Sequence, residues 1–170
     1  FYNAEVSAAR YPDKPFIVFY DTAVSFAEFK DEAERLAGHL QHECGVKAGD
    51  RVLLYMQNSP QWVLAFYGIL RANAVVVPVN PMNLTDELRH YVDDCQATTA
   101  FVAQDLLPQM QPLLRGEAGS GLQQLVVATY SDYLKRPTDL RVPDFVAAAR
   151  DVPRSPGVVP WSEALARGLQ

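Results

Sequence analysis

Short apolar runs alternate with segments of helical periodicity along most of the chain, and this alternation limits what it can fold into. The clearest run is "AVVVPV" at residues 74–79, which is rich in β-branched side chains and too short for a transmembrane helix. It predicts a buried strand. Asn73 ends the preceding helix, and Pro78 and Pro81 end the strand. Further strands are predicted in the runs at 52–56, 98–103 and 122–130, after a short hairpin at 16–24.

Four helices are predicted in the intervening segments. The fourth is an uneven helix with two prolines in "QDLLPQMQPLL", residues 104–114. Each of the first three begins at a side chain that can accept a hydrogen bond from free backbone amides. Their expected N-caps are Ser25, Ser59 and Thr85. The first helix is predicted over roughly residues 26–44, starting with a Ser25–Glu28 capping box and ending before Gly45. The second begins with Pro60 and the third runs to about Cys95.

This order of elements predicts an α/β fold with a mostly parallel sheet and helices on both faces, because right-handed crossovers place the helices there. Beyond residue 131, repeated prolines and mixed charge predict an irregular excursion, with a last short helix in "WSEALARG". We therefore divide the chain into an α/β amino-terminal subdomain, 1–130, and a proline-punctuated excursion, 131–170, within the same domain.

Composition narrows the function classes. The 170 residues carry 15 basic and 20 acidic side chains, a net charge of −5 without a basic cluster, which argues against nucleic acid as a partner. No stretch could serve as a transmembrane segment. The only cysteines, Cys44 and Cys95, lie at predicted helix ends and favour a reducing compartment, so we expect the cytoplasm. Because the sequence begins at Phe1 rather than methionine, we expect a piece of a longer protein.

Two clusters of titratable residues could carry chemistry, and both have an ordinary explanation. His39 and His42, with Cys44 beyond them, suggest metal ligation, but a pair three residues apart without a fourth ligand indicates polar residues on a solvated helix face. The second cluster consists of His90, Asp93, Asp94 and Cys95, and it resembles a nucleophile with its base. His90 and Asp94 are four residues apart, however, so they are expected to form a pair on the helix surface.

A glycine-rich segment and an aromatic group are the remaining candidates. The segment "RGEAGSG" contains Arg115, Gly116, Gly119 and Gly121. It leaves a helix and enters a strand, the edge of a parallel sheet opposite to that used for ligands, so it is expected to be an exposed connector. The aromatic residues Trp62, Phe66 and Tyr67 could line an acyl pocket or contact a partner, but core packing is favoured. No catalytic, cofactor-binding or metal-binding residue is predicted.

Several motifs in a fixed order resemble a known family. Residues 24–29 are similar to its first core motif, [ST]-[YF]-x-E-[LF], and residues 70–80 to its second, L-[KR]-A-G-x-x-x-x-P-[LV]-[ND]. The linking segment "GDRVLLYMQNSP" also matches. Asn73 stands where the family usually has glycine. From about residue 12 to residue 127, the chain resembles the amino-terminal region of the adenylate-forming acyl-CoA synthetase superfamily.

The resemblance implies a two-step reaction in the parent protein. A carboxylate attacks ATP to give an acyl-adenylate and pyrophosphate, and coenzyme A then displaces AMP to give a thioester, with Mg²⁺ screening the phosphates. The family uses a Ser/Thr/Gly-rich loop with a lysine, an acidic group for the ribose and a lysine in a mobile carboxy-terminal domain. None has a counterpart here, so this chain alone is expected to be inactive and to hold no cofactor.

The same resemblance names the expected partners, which are the remaining subdomains of the parent chain and a fatty or other carboxylic acid. The proline-punctuated excursion resembles an insertion of long-chain fatty acyl-CoA synthetases, and a homodimer is left open. Two other interpretations of the function remain open. The chain could be a free-standing α/β binding or interaction module that docks a partner through its apolar second helix, or a small flavodoxin-like protein that binds FMN or ATP.

Overall fold

A short hairpin precedes a five-stranded parallel sheet in the computed structural model, which describes residues 1–114 and 121–168. The antiparallel hairpin consists of β1 (Pro15–Phe19) and β2 (Thr22–Ser25). The sheet contains β3 (Arg51–Tyr55), β4 (Val75–Pro78), β5 (Thr99–Ala103), β6 (Gln124–Ala128) and β7 (Val158–Pro160), in the order β4-β3-β5-β6-β7. All neighbouring pairs are parallel, which confirms the predicted fold class.

Helices cover both faces of the sheet. The described part of the chain contains α1 (Tyr2–Arg10), α2 (Phe26–His42), α3 (Pro60–Arg71), α4 (Thr85–Cys95), α5 (Leu107–Met110), α6 (Asp144–Ala147) and α7 (Trp161–Arg167), with 3₁₀ turns at Gln104–Leu106, Gln111–Leu113 and Tyr130–Tyr133. Alternate residues of β3 face opposite sides: Leu54 packs with α2, α3 and α7, whereas Leu53 packs with α4 and α5.

Helix starts follow the predicted capping chemistry in two cases and depart from it in one. Ser25 Oγ accepts from the Glu28 amide over 3.2 Å, and the Glu28 carboxylate accepts from the Ser25 amide over 2.8 Å. Ser59 Oγ accepts from the Trp62 amide over 3.1 Å. The prediction for Thr85 was wrong, because α4 already begins at this residue and its hydroxyl instead donates to the Gln109 carbonyl over 3.0 Å.

The predicted buried strand of valines is an edge strand. Val75 is 47% exposed, and Val76 and Val77 are only partly buried. The apolar run is correct, but its burial was overestimated because composition does not distinguish an edge from the centre of a sheet. Asn73 does adopt the predicted left-handed conformation, with φ at 59°. Both edge strands are short and end in proline, at Pro78 and Pro160, which limits pairing with another chain.

The proline-punctuated excursion returns to the sheet. After residues 131–157 the chain forms β7, which pairs with β6 from Leu125 opposite Val158 onward, and then α7, which packs against α2. The sequence analysis anticipated α7 but not β7, nor α1 at the other end of the chain. Within residues 1–114 and 121–168, no helix is both long and apolar enough to cross a membrane.

Candidate functional site

The carboxyl ends of the parallel strands meet at one edge of the sheet, where ligands of open α/β proteins bind. The strand order reverses between β3 and β5, because the chain passes from β3 outward to β4 and then returns to the other side of β3. Residues 56–61 follow β3 and enter α3, and residues 104–106 follow β5. These two segments, which we call the switch-point crevice, are the candidate site.

The polar groups of the switch-point crevice are bonded to groups at the end of β6. The Gln57 amide donates to the Tyr130 hydroxyl over 2.7 Å, and Gln61 Nε2 donates to the Thr129 carbonyl over 2.8 Å. Thr129 Oγ1 donates to Gln104 Oε1 over 2.8 Å. Burial raises the pKa of the Tyr130 phenol above its ordinary value, so this hydroxyl keeps its proton at neutral pH.

The excursion closes over the same crevice. Gln104 Nε2 donates to the Ala149 carbonyl over 2.9 Å, and its Oε1 also accepts from the Asp151 amide over 2.8 Å. Ser131 Oγ donates to the Ala148 carbonyl over 2.7 Å. Gln104 therefore connects β5, the end of β6 and residues 149–151 through one amide side chain.

The start of α3 offers few donors to a phosphate. Pro60 has no amide hydrogen, the Trp62 amide donates to Ser59 Oγ, and the Val63 amide donates to the Ser59 carbonyl over 3.3 Å. A helix N-terminus binds anions through free amides of its first turn. This arrangement argues against a small flavodoxin-like protein that binds FMN or ATP.

One polar atom of the switch-point crevice stands apart from the bonds described above. Gln61 Oε1 is a buried side-chain acceptor that has no hydrogen-bond partner in the described structure, and the Gln61 side chain is 0% exposed.

Two cavities lie near this edge. A cleft of about 450 Å³ beside β5 is lined by residues that include Asp105, Leu107 and Phe145. Burial raises the pKa of the Asp105 carboxyl, against the effect of hydrogen bonds from backbone amides. A larger cavity of about 860 Å³ lies along β7, and the Val158 amide at its wall is already bonded to the Ser155 carbonyl. Both cavities are open to solvent.

The histidines of α2 do not form a site. His42 is exposed as predicted, but His39 is 1% exposed, so the prediction that both lie on a solvated face was wrong for His39. His39 belongs to the helix against which α7 packs, and Glu163 and Arg167 of α7 are among the charges that act on its ring. The sequence analysis did not predict this packing. Burial raises the pKa of the Cys44 thiol to about 12, which makes it a poor nucleophile and metal ligand at neutral pH. The described residues contain no cluster of three or more potential metal-binding side chains.

The second titratable cluster is dispersed over the surface of α4. His90, Asp93 and Asp94 are exposed, and Cys95 is half-buried with a pKa raised by burial. The expected pair between His90 and Asp94 is not formed, although both residues belong to the described part of the chain. Arg51 Nε donates to the carbonyl oxygen of Cys95 over 2.9 Å, so the carboxyl end of α4 is bonded to the first residue of β3.

Of the glycine-rich segment, Arg115, Gly116 and Gly119 lie outside the described residues, and Gly121 enters the strand region with φ at 121°. The aromatic residues of α3 pack against the core, as favoured by the sequence analysis. Trp62 and Phe66 are stacked with ring centroids 5.4 Å apart, and Tyr67 meets the ring of Phe29 edge-on at 5.1 Å.

Sequence reasoning did not identify the network of Gln61, Gln104 and Thr129. Its only signal was position, since Gln104 directly follows a predicted strand, Thr129 lies near the end of the predicted strand run at 122–130, and Gln61 lies in the first turn of a predicted helix. The contacts themselves join residues 25 and 68 positions apart, and no local pattern encodes such pairs.

Comparison with known proteins gives a consistent picture. The model of the family described as AMP-binding enzyme matches residues 4–157. The long-chain-fatty-acid–CoA ligase of Bacillus subtilis is 34% identical over 137 residues, which are 81% of this chain and 24% of that protein. The crotonobetaine/carnitine–CoA ligase of Proteus mirabilis is 32% identical over 123 residues, 72% of this chain and 23% of that protein. The chain thus spans about a quarter of the length of these curated relatives.

A solved structure supports the fold. A long-chain-fatty-acid–CoA ligase from Archaeoglobus fulgidus aligns with a TM-score of 0.69 and 23% identity, over 98% of this chain and 29% of that one. At this identity the likeness shows the architecture, and it includes the residues of the proline-punctuated excursion.

Proposed function

Because the chain belongs to the AMP-binding enzyme family, we propose that it forms the first α/β subdomain of an ATP-dependent acyl-CoA synthetase. The observation that carries this proposal is the family match over residues 4–157, which takes in the sheet strands β3 to β6 and helices α2 to α5. The parent protein would convert a carboxylic acid to its acyl-adenylate and then to its CoA thioester.

Within that enzyme, we assign this chain a supporting role. The side chains at the switch-point crevice are bonded mainly to the protein itself, and the start of α3 has few free amides, so the residues present do not fit ATP with Mg²⁺. The nucleotide, Mg²⁺ and coenzyme A therefore belong to other subdomains of the parent chain. Helices on both faces give the sheet the rigidity needed to serve as a wall for those subdomains.

We propose a fatty acid as the substrate of the parent protein, supported by the name of the Bacillus subtilis relative. The Proteus mirabilis relative, at similar identity, is named for a different acid, so the choice of acid depends on residues that this similarity does not sample. The two thiols, Cys44 and Cys95, are both free, which supports the cytoplasm as the compartment. The partners proposed are the remaining subdomains, with a homodimer as a further form of assembly.

The test is ATP–pyrophosphate exchange, measured with the 170-residue chain and with the product of the complete open reading frame. We expect no exchange with the 170-residue chain, and exchange that depends on an added fatty acid with the complete product. Exchange by the 170-residue chain would contradict the supporting role. Failure of the complete product with every carboxylic acid tried would contradict the ligase assignment itself.

A further inference from the structure

A buried histidine belongs to α2, the helix against which α7 packs. His39 is 1% exposed, and neither of its ring nitrogens has a hydrogen-bond partner among the described residues. It lies one helical turn after Arg35, on the same side of α2. Gly168, directly after α7, approaches that turn so closely that an added Cβ would lie 1.9 Å from the Arg35 carbonyl oxygen. The carboxyl end of α7 therefore closes over this part of α2.

The charges around His39 do not provide a partner for a cationic ring. Glu43 on α2 and Glu163 on α7 favour the proton, whereas Arg167 on α7 opposes it. Glu163 and Arg167 form an ion pair with each other, which reduces the effect of both. Arg35 on α2 pairs with Asp31 over 2.7 Å. Burial outweighs these charges and lowers the pKa of His39 below its ordinary value.

We propose that His39 acts as an acid-sensitive latch, whose neutral ring allows α7 to dock on α2 and whose protonation releases α7. Release of α7 exposes the His39 ring, which then takes up a proton near its ordinary pKa of about 6.5. This pH is higher than the pH at which the buried ring is protonated. Docking therefore weakens as the pH falls below that value, by up to about tenfold per pH unit, and levels off at the lower pKa of the buried ring.

Hydrogen–deuterium exchange of the α7 amides in the 170-residue chain tests the latch. Exchange is measured between pH 7.5 and 5.5 and corrected for the intrinsic rate. The variants are His39→Leu and His39→Gln, and the matched control is His42→Gln, which changes an exposed histidine of the same helix. We expect opening of α7 to rise with acidity in the unmodified chain and in the control, and to lose this dependence in both His39 variants.

A second readout uses Trp161, the first residue of α7, which is 2% exposed. With Trp62→Phe in the background, Trp161 is the single tryptophan, and acrylamide should quench it more strongly at pH 5.5 than at pH 7.5. Glu32 also titrates close to α7, because Tyr133 donates to its carboxylate and accepts from Trp161 Nε1. Burial raises the pKa of Glu32, so its protonation stabilises the folded state, and this effect opposes the rise in opening that the latch predicts at low pH. The latch is overturned if α7 protection does not change with pH, or if the His39 variants keep the dependence of the unmodified chain.

Discussion

The turn into β7 depends on Gly157, and substitution by alanine should be costly for two separate reasons. Its φ is +76°, a region that costs residues with a side chain about 1–2 kcal/mol. An added Cβ would also lie 2.5 Å from the Gln123 carbonyl oxygen and 3.1 Å from a methyl of Leu114. Overpacking of this kind costs about 1–3 kcal/mol. Together these effects predict that Gly157→Ala lowers the free energy of unfolding by about 2–5 kcal/mol.

Gly45→Ala separates the two causes, because Gly45 has a similar φ of +68° and nothing within 4 Å of the added Cβ. It should lose only the conformational part, about 1–2 kcal/mol. The Leu125 amide donates to the Gly157 carbonyl over 2.7 Å, so a shift at this turn also weakens the pairing of β6 with β7. Urea denaturation, monitored by circular dichroism, measures the free energy of unfolding of both variants. Equal losses for Gly157→Ala and Gly45→Ala would refute the steric argument.

Two further substitutions test the polar contacts. Tyr130→Phe removes the hydroxyl that accepts from the Gln57 amide and should cost about 1 kcal/mol in urea denaturation, whereas Tyr2→Phe, at a side chain that is 74% exposed, should cost close to nothing. Glu32, whose pKa is raised by burial, accepts a bond from Tyr133, and the folded state binds its proton more tightly than the unfolded state. Its charge therefore costs stability above its folded-state pKa, and this cost disappears as the pH falls toward 4.5. Glu32→Gln should gain stability relative to the unmodified chain as the pH rises, and a pH-independent difference between the two would contradict this assignment.

Local chemistry explains which elements the sequence predicted well. The capping box of Ser25 and Glu28 lies within one turn of chain, and its bonds form as expected. Asn73 ends α3 in the left-handed conformation because that preference is a property of the residue itself. The alternation of strands and helices was sufficient for the fold class, since short links leave few other arrangements.

The features that the sequence did not predict depend on distant partners. β7 is only three residues long, too short to show alternation, and its pairing with β6 defines it as a strand. The burial of a side chain also depends on distant partners. Val75 lies on an edge because no strand follows β4 on its outer side among the described residues. His39 lies on the helix against which α7 packs, and α7 begins more than 120 positions later in the chain. The contact of Gln104 with Thr129 likewise forms only when β6 pairs with β5, and its contact with Ala149 only when the excursion folds back onto the sheet.

The most direct test of the central claim is to sequence the source gene beyond the codon for Gln170. If the chain is the first subdomain of an acyl-CoA synthetase, the reading frame continues and encodes a Ser/Thr/Gly-rich loop that ends in a lysine, the family's phosphate-binding segment. A stop codon directly after Gln170 would contradict the claim. The chain would then be a free-standing α/β module with this family's fold and without its chemistry.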